Sequence, residues 1–352
     1  MSGIAKKKVQ ETQCGAAAAR PASIGPFKAP SAETLQKLYR QMLLIRRFEE
    51  RSSQLYGQGL IGGFCHLYIG QEAIAVGAMA VKKDIDTFVT AYRDHGHMLV
   101  TGMDPGHVMA ELMGKQAGTS KGKGGSMHMF DPEKGFWGGH GIVGAQVPFG
   151  TGVALKHKYK KDGAVCLTFM GDGASNQGQV YESFNMATLW NLPIVYVIEN
   201  NHYGMGTSVQ RACAGCDQLY KRGEPWGIPG EKVDGMDLEA VMQAFHNAIG
   251  HARAGKPFLL EVDTYRYRGH SMSDPALYRS KEEVGQVKDE RDPIMLLRDK
   301  LVKNHGVEAA TLDALDKDVK KEVLDSVAFA KNAPFPDPEE LYTDILKPEG
   351  DA

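Results

Sequence analysis

The chain has 352 residues, with 41 Lys and Arg against 43 Asp and Glu, so its formal net charge is −2. Apolar residues make up 42% and charged residues 24%, close to globular averages, which excludes wholesale disorder. The near-neutral charge argues against a nucleic-acid or anionic-membrane binder, and no apolar run is long enough to predict a membrane span. Glycine is the outlier at 41 residues, which indicates many tight turns and close backbone approaches.

Residues 1–30 differ from the rest of the chain. Three consecutive lysines, an alanine run and several prolines without any apolar period predict a flexible tail. The tail is basic but poor in Arg and lacks an amphipathic stripe. A bacterial-type cytoplasmic extension is therefore favoured over a mitochondrial transit peptide, which would place the protein in the matrix.

The five cysteines have no framework spacing, and a chain of this length needs no disulfide staples, so a reducing compartment is expected. Cys213 and Cys216 have the spacing of a redox motif. No strand-to-helix pattern precedes them, so reduced loop thiols are the favoured interpretation.

Apolar spacing predicts an α/β fold: a parallel sheet with helices on both faces, an N-terminal helical arm and a helical C-terminal extension. The region 115–152 is dense in glycine, and its stretches 121–126 and 138–141 are expected to form loops in which the backbone approaches another group closely. The predicted divisions are a tail over 1–30, an α/β domain over 31–290 and an extension over 291–352 packed on the same domain. The predicted elements are a long helix capped by Ser31, helices over 72–80 and 105–113, a strand over 87–90, a strand–helix–strand unit over 164–170, 179–190 and 193–198, a helix over 237–254, a strand over 258–265 and helices from about 291 to 333.

Polar residues follow two successive buried strands. Gly171-Asp172-Gly173-Ala174 follows the first, and Glu199-Asn200-Asn201 follows the second. Because the carboxyl ends of parallel strands meet at one edge of the sheet, Asp172 and Asn201 are expected to lie together. A carboxylate and an amide oxygen suit Mg²⁺, which fills its octahedron with phosphate oxygens and water. A lone Gly-Asp-Gly is most often an ordinary turn; its pairing with Asn-Asn at the next strand indicates a thiamine diphosphate site.

The sequence resembles the α subunits of heterotetrameric 2-oxo acid dehydrogenases that use thiamine diphosphate, and in particular the pyruvate dehydrogenase component. The resemblance runs from about Leu35 to about Pro338 and rests on the stretch from Gly171 to Val209 together with five shorter motifs. These motifs are GGFCHLYIGQEA (62–73), TAYRDHG (90–96), KGKGGSMHMF (121–130), GGHGIVGAQVP (138–148) and YRYRGHSMSDP (265–275).

The resemblance implies a role for each matching residue. Asp172, Asn201 and the carbonyl of Tyr203 would bind Mg²⁺, while Tyr92 and Arg93 would hold the diphosphate. Met205 would keep the thiamine bent. His66 and His270 would handle the pyruvate-derived intermediate and acetyl transfer to lipoamide, for which histidines that titrate near neutrality are suited. The residues that would line the cofactor through their backbone are Gly141, Val143, Gly173 and Ala174.

The resemblance also implies partners. The pyrimidine ring of thiamine needs a carboxylate, which in this family comes from a separate β subunit. The chain is therefore expected to be inactive alone, to form an α2β2 heterotetramer and to act on the lipoyl domain of a dihydrolipoyl acetyltransferase, converting pyruvate to acetyl-CoA and CO2 in the whole complex. The cofactor would supply the reactivity, and the protein would orient it and exclude water from the site.

Two departures from the family pattern stand out. Ser271 matches a serine that kinases phosphorylate in mitochondrial relatives, but the loop is one residue shorter before Tyr278, which weakens the case for such control. His140 stands where the family more often has Asn.

For several single residues, a purely structural role stays open. His66 and His270 taken alone would be structural histidines, Met205 core filler, and Arg93 with Asp94 a surface ion pair. The spacing of His95, His97 and His107 suits no usual zinc site, so packed or solvated histidines are preferred there.

Two other functions are open for the whole chain. One is the α subunit of a branched-chain 2-oxo acid or acetoin dehydrogenase, although Tyr203-Gly-Met-Gly-Thr-Ser208 is typical of the pyruvate type. The other is a non-catalytic phosphate-binding module, which the absence of Walker and Gly-x-Gly-x-x-Gly motifs disfavours.

Overall fold

The computed structural model describes residues 25–346, and most of the predicted tail over 1–30 lies outside them. The helices are α1 (Ala32–Gly57), α2 (Glu72–Val81), α3 (His95–Val100), α4 (Pro105–Leu112), α5 (Gln146–Lys160), α6 (Gly178–Leu189), α7 (Val209–Ala212), α8 (Leu238–Arg253), α9 (Lys281–Arg291), α10 (Pro293–His305) and α11 (Ala309–Asn332). The strands are β1 (Thr87–Ala91), β2 (Phe136–His140), β3 (Cys166–Gly171), β4 (Ile194–Asn200), β5 (Tyr203–Gly204), β6 (Thr207–Ser208), β7 (Gly230–Asp234) and β8 (Phe258–Asp263).

The described residues contain one six-stranded sheet in the order β2-β1-β3-β4-β8-β7, and every neighbouring pair is parallel. The register between β3 and β4 pairs Gly171 with Glu199, so the two strands end level with each other. The residues that follow them, Asp172 and Asn201, therefore leave the sheet at the same edge. This confirms the predicted parallel strand–helix–strand unit.

The sheet separates two hydrophobic cores, because successive side chains of a strand point to opposite faces. On β4, Val195 and Val197 join the core that includes α1, α2 and α8. Tyr196 and Ile198 join the other core, which includes residues of α5 and α6. Helices thus cover both faces, as the continuous apolar runs of β3 and β4 predict.

The N-terminal helix α1 begins as predicted, because the Ser31 hydroxyl accepts a hydrogen bond from Thr34 N and caps it. Leu35, Met42 and Phe48 on its predicted apolar face are fully buried. The C-terminal helices α10 and α11 pack against α1, and α11 also packs against α4. Within residues 25–346, no helix is both long enough and apolar enough to cross a membrane.

Some elements were wrong or missing in the sequence-based prediction. The region 138–141, expected to be a loop, lies largely in the edge strand β2, and helix α5 was not predicted. The edge strand β7 reads GEKVD and has almost no apolar signal. Glycine in β2 and α5 hides the period that identifies a strand or a helix, because it adds no apolar side chain to the pattern.

Candidate active site

A cavity of about 240 Å³ opens at the carboxyl ends of β3 and β4, where ligands bind in open parallel sheets. It brings together residues from six separate stretches of the chain, which only the fold makes neighbours. The residues that line it are Gln71, Ala91, Tyr92, Arg93, Val143, Gly144, Gln146, Gly171, Asp172, Gly173, Ala174, Glu199, Asn201, Tyr203, Gly204, Met205, Arg266 and His270.

Asp172 and Asn201 face this cavity from the ends of β3 and β4. Both are buried, and Asp172 Oδ2 has no hydrogen-bond partner within the described residues. Burial raises the pKa of Asp172, because a carboxylate loses its hydration there. The Asn201 amide donates from Nδ2 to Gln71 Oε1 at 3.1 Å, which turns its Oδ1 the other way. Two oxygens suited to a hard cation are therefore presented in one cavity.

Arg266 was not singled out from the sequence, although it lies within the quoted motif 265–275. It is almost fully buried, and its Nη1 donates to the Tyr203 carbonyl at 3.1 Å and to Asn201 Oδ1 at 3.4 Å. Its Nη2 donates to the Met205 carbonyl at 3.1 Å. The guanidinium thus holds two of the predicted metal ligands in place, and each carbonyl oxygen keeps a second lone pair.

Arg93 is the second buried guanidinium of the cavity. It donates to the carbonyl of Leu67 at 2.7 Å and to that of His270 at 2.8 Å, and its other donors are free for a ligand. Burial, together with the charge of Arg266, lowers the pKa of Arg93 to about 10. Neither arginine pairs with a carboxylate in the described part of the chain. Two buried, unpaired cations favour an anion such as a diphosphate.

Tyr203 and Met205 sit on the short hairpin formed by β5 and β6. Met205 has φ = +53°, a left-handed conformation that a bulky residue adopts only where the surroundings enforce it. Its side chain is 64% exposed and lines the cavity. A Cβ added to Gly204 would lie 3.3 Å from Gly173 Cα, so the two backbones approach closely here. A side chain at either glycine would therefore force the facing backbone to shift by a few tenths of an ångström.

His66 does not line the cavity, but it lies directly beside residues that do. Its ring centroid is 4.6 Å from that of Tyr92 and 5.1 Å from that of His270. Burial and the Arg93 charge lower the pKa of His66 to about 2, and burial with Arg93 and Arg266 lowers that of His270 to about 4. In this state both histidines are neutral near neutral pH, which differs from the expectation that they titrate there.

The predicted backbone positions fall into two groups. Val143, Gly173 and Ala174 line the cavity, whereas Gly141 lies outside the lining, and a Cβ added to it would lie 3.0 Å from Cε1 of His128. Glu199 lines the cavity but was not predicted. It accepts a hydrogen bond from the Tyr68 hydroxyl, and burial raises its pKa to about 7.

The cavity fits a magnesium-bound diphosphate on its own chemistry. An unpartnered carboxylate oxygen favours a cation, and the charges of two guanidinium groups that no carboxylate neutralises within residues 25–346 favour an anion. Among residues 25–346, no three His, Cys, Asp or Glu side chains cluster as a metal site. A cation here would therefore take one carboxylate, amide and main-chain oxygens, and oxygens of its ligand, which is the usual pattern for Mg²⁺.

Comparison with known proteins bears on the identity of the chain. Residues 40–339 match the protein family described as "Dehydrogenase E1 component". The chain belongs to this family. Members of the family depend on thiamine diphosphate, and the chain is an oxidoreductase component.

Individual relatives are similar over nearly the whole chain. The pyruvate dehydrogenase E1 component subunit alpha of Rhizobium meliloti is 55% identical over 97% of this chain and 100% of its own length. The protein of the same name from Zymomonas mobilis is 57% identical over 89% of each chain. A mitochondrial subunit alpha-1 from Arabidopsis thaliana is 51% identical over 90% of this chain and 80% of its own length.

The loop that carries Ser271 in this E1 component chain is held by Asp274. The carboxylate of Asp274 accepts from His270 N at 2.6 Å, from Ala276 N at 2.8 Å and from the Tyr278 hydroxyl at 2.8 Å. The Ser271 side chain is buried and its hydroxyl lies 2.9 Å from that of Ser273. The loop would have to open before an enzyme could reach Ser271.

The glycine-rich loop 115–126 of the E1 component chain is wound around one buried carboxylate, that of Glu111. Four backbone N–H groups donate to Glu111: those of Ser120, Gly122, Gly124 and Gly125, at 2.7 to 2.9 Å. A Cβ on Gly118 would lie 2.3 Å from Glu111 Oε2, so glycine is required there. The loop does not line the cavity.

Proposed function

We propose that the chain is the α subunit of a pyruvate dehydrogenase E1 component, active with a β subunit as an α2β2 heterotetramer. The proposed reaction is decarboxylation of pyruvate with transfer of the acetyl group to the lipoyl domain of a dihydrolipoyl acetyltransferase. The names of relatives that are 51 to 57% identical support pyruvate as the substrate. Those relatives are bacterial and plant proteins, and we place this chain in the cytoplasm as the bacterial ones imply.

The observation that carries the proposal is that, in the described part of the chain, one cavity contains a carboxylate oxygen without a hydrogen-bond partner and two guanidinium groups without a carboxylate partner. Asp172 Oδ2 lacks a partner, and Arg93 and Arg266 lack a carboxylate, within the described residues. We assign Asp172, Asn201 Oδ1 and the Tyr203 carbonyl to Mg²⁺ and Arg93 with Tyr92 to the diphosphate. Met205, Val143, Gly173 and Ala174 would contact the rest of thiamine diphosphate, with Gly141 supporting this wall from behind.

When bound, the cofactor supplies a carbon nucleophile and an electron sink. The chain's own contribution is position and charge. Arg93 and Arg266 neutralise the anionic end of the ligand, and His270 lines the cavity with the His66 ring packed edge-on against its own. Once an anion offsets the two cations, the pKa values of both histidines rise towards the range in which they exchange protons with substrate.

The dependence on a β subunit follows from the carboxylates present. Among the described residues, Asp172 and Glu199 are the acidic side chains that line the cavity, and both lie at its metal end. Neither is placed to serve the pyrimidine ring, so a carboxylate from a partner is required. Exposed apolar side chains on α5 and α6 support a large partner surface; they include Phe149, Leu155, Tyr159, Leu189 and Trp190.

We further propose residues 31–290 as the cofactor-binding domain and 291–352 as an extension packed on it. The contacts of α10 and α11 with α1 support this division, since they would hold the extension against the domain.

The test is reconstitution with the β subunit of the same dehydrogenase. The complex should release CO2 from pyruvate and reduce an artificial electron acceptor only when thiamine diphosphate and Mg²⁺ are both present. The chain alone should be inactive. Equal or faster turnover of 3-methyl-2-oxobutanoate would favour the branched-chain alternative, and sustained turnover without the β subunit would refute the proposed dependence. Reductive acetylation of an isolated lipoyl domain tests the acyl transfer separately.

A further inference from the structure

His66 lies in a segment without helix or strand, residues 64–68, whose backbone nevertheless makes hydrogen bonds on both edges. On one edge, carbonyls of alternate residues accept hydrogen bonds from elsewhere in the chain: Cys65 O from Met272 N at 2.8 Å, Leu67 O from Arg93 Nη1 at 2.7 Å, and Ile69 O from Tyr267 N at 3.2 Å. This alternation is the pattern of an extended strand bonded to a neighbour.

The opposite edge of the segment has no neighbouring strand among residues 25–346. Its N–H groups are taken by side chains instead: His66 N donates to Ser126 Oγ at 3.0 Å and Tyr68 N donates to Glu49 Oε1 at 2.6 Å. His95 joins the two acceptors, with Nδ1 2.9 Å from Glu49 Oε2 and Nε2 2.8 Å from Ser126 Oγ. The three side chains therefore form one continuous unit that binds the N–H groups of residues two apart, as a strand would.

We propose that Glu49, His95 and Ser126 are positioning residues that replace a neighbouring strand and fix His66 for the reaction. The inference deepens the proposed function and rests on it for the role of His66. A catalytic side chain must be held within about 0.5 Å of its productive position, and that precision is easier on a bonded strand than on a free loop. The unit formed by Glu49, His95 and Ser126 supplies this rigidity to an irregular segment.

The same three residue types, in the same order, form the nucleophilic triads of hydrolases. Here that role is excluded by burial, because Glu49 and His95 are fully buried and Ser126 is 4% exposed. The Ser126 hydroxyl also accepts the His66 N–H and does not line the cavity. The unit is therefore a support and not a second reactive centre.

The two end residues of this unit, Glu49 and Ser126, are themselves held in place by the fold. Glu49 lies on the long helix α1, and Ser126 is the last residue of the loop that is wound around the carboxylate of Glu111. Burial opposes the charged form of His95, but the Glu49 carboxylate outweighs it and raises the pKa of His95. A charge-assisted pair between Glu49 and His95 gives the strongest and most directional link in the chain of contacts.

The test compares variants in the reconstituted complex with the β subunit. Ser126→Ala removes the acceptor for His66 N. His95→Asn keeps a donor near Nδ1 for Glu49, whereas His95→Gln keeps one near Nε2 for Ser126. Ser52→Ala is the matched control, because Ser52 is an equally buried serine on α1 whose hydroxyl donates to its own helix at Phe48 O.

Two readouts are needed. Hydrogen exchange of the peptide spanning 64–70 reports the anchoring itself, and Ser126→Ala should speed exchange at the His66 amide about tenfold or more. Steady-state kinetics report the consequence: kcat for pyruvate should fall about 10- to 100-fold, as expected for a misplaced catalytic group, while the Kd of thiamine diphosphate stays within about twofold. His95→Gln should retain more activity than His95→Asn, and Ser52→Ala should match the wild type in both readouts.

The outcomes separate the two ideas. Unchanged exchange at His66 in Ser126→Ala, or faster exchange with unchanged kcat, would overturn the positioning role. A loss of cofactor affinity in proportion to kcat would also overturn it, since that is the signature of general structural damage. A wild-type complex that does not act on pyruvate would instead refute the proposed function.

Discussion

The clearest perturbation of the site is Asp172→Asn, which keeps the shape of the side chain and removes its charge. We expect opposite effects on the protein with and without its cofactor. In the free protein, Asp172 Oδ2 is buried without a partner among the described residues, and burial already raises the pKa of the carboxyl. An unsatisfied buried polar group costs about 1–3 kcal/mol, so the neutral amide should leave the free protein equally stable or more stable by about 1 kcal/mol.

The magnitude of the opposite effect follows from linkage. A cofactor present at 100 times its Kd stabilises the folded state by about 2.7 kcal/mol. If the loss of the carboxylate weakens magnesium-dependent binding about 100-fold, the same cofactor concentration stabilises the variant by only about 0.4 kcal/mol. The gain from adding thiamine diphosphate and Mg²⁺ should thus almost disappear.

Thermal unfolding of the reconstituted complex, with and without cofactor and metal, measures both effects, and calorimetry gives the Kd. Asp289→Asn is the control, because Asp289 is exposed on α9 far along the chain from the cavity residues. Undiminished stabilisation of Asp172→Asn by the cofactor would refute the assignment of Asp172 to the metal. A clear loss of stability in the cofactor-free variant would refute the argument that Asp172 Oδ2 lacks a stabilising partner among the described residues of the free protein.

Three further predictions concern buried groups outside the cofactor contacts. His97 has both ring nitrogens buried without partners among the described residues, and burial lowers its pKa to about 3. As pH falls from about 6.5 to 3, this histidine therefore takes up a proton in the unfolded chain but not in the folded chain, and the free energy of unfolding falls. His97→Phe should reduce that loss by up to about 1.4 kcal/mol per pH unit, which urea unfolding at several pH values measures. Glu111→Gln should lower the free energy of unfolding by about 2–3 kcal/mol, because the new amide N would face N–H donors of the loop. The control is Glu290→Gln on the exposed face of α9, which should change the free energy of unfolding by under about 0.5 kcal/mol. Of the cysteines within residues 25–346, Cys216 alone should react with a thiol reagent in the native state, since the others are buried and burial raises the pKa of Cys65 to about 12; labelling followed by mass spectrometry would contradict this if Cys65 reacted first.

The sequence predicted the parts of the fold that carry strong local patterns. The continuous apolar runs of β3 and β4 and the residues after them were enough to place Asp172 and Asn201 at one sheet edge. Edge strands were the weak point: β2 is rich in glycine and β7 is polar, so neither has the apolar period that identifies a strand. Pairing with β1 and with β8 defines them, and pairing partners are not visible in a local window.

The supporting residues of the site were missed for a related reason. Gln71, Glu199 and Arg266 lie inside motifs or next to them, but their roles depend on contacts with residues far away in the chain. Arg266 alone reaches Tyr203 and Asn201 across more than 60 residues of sequence. Spacing indicates which residues share an element; it does not indicate which side chains converge from different elements.

The charge balance of the cavity links binding of a cofactor to the protonation of His66 and His270. Burial lowers the pKa values of both histidines, and the charges of Arg93 and Arg266 lower them further, so neither ring carries a proton near neutral pH. A bound diphosphate would cancel the same positive charge that disfavours the imidazolium forms, and a cation would satisfy Asp172. The arginines proposed to neutralise the diphosphate would thus be two of the groups that hold the histidines neutral. Binding would relieve the part of the pKa shift that these charges cause, while the part caused by burial would stay.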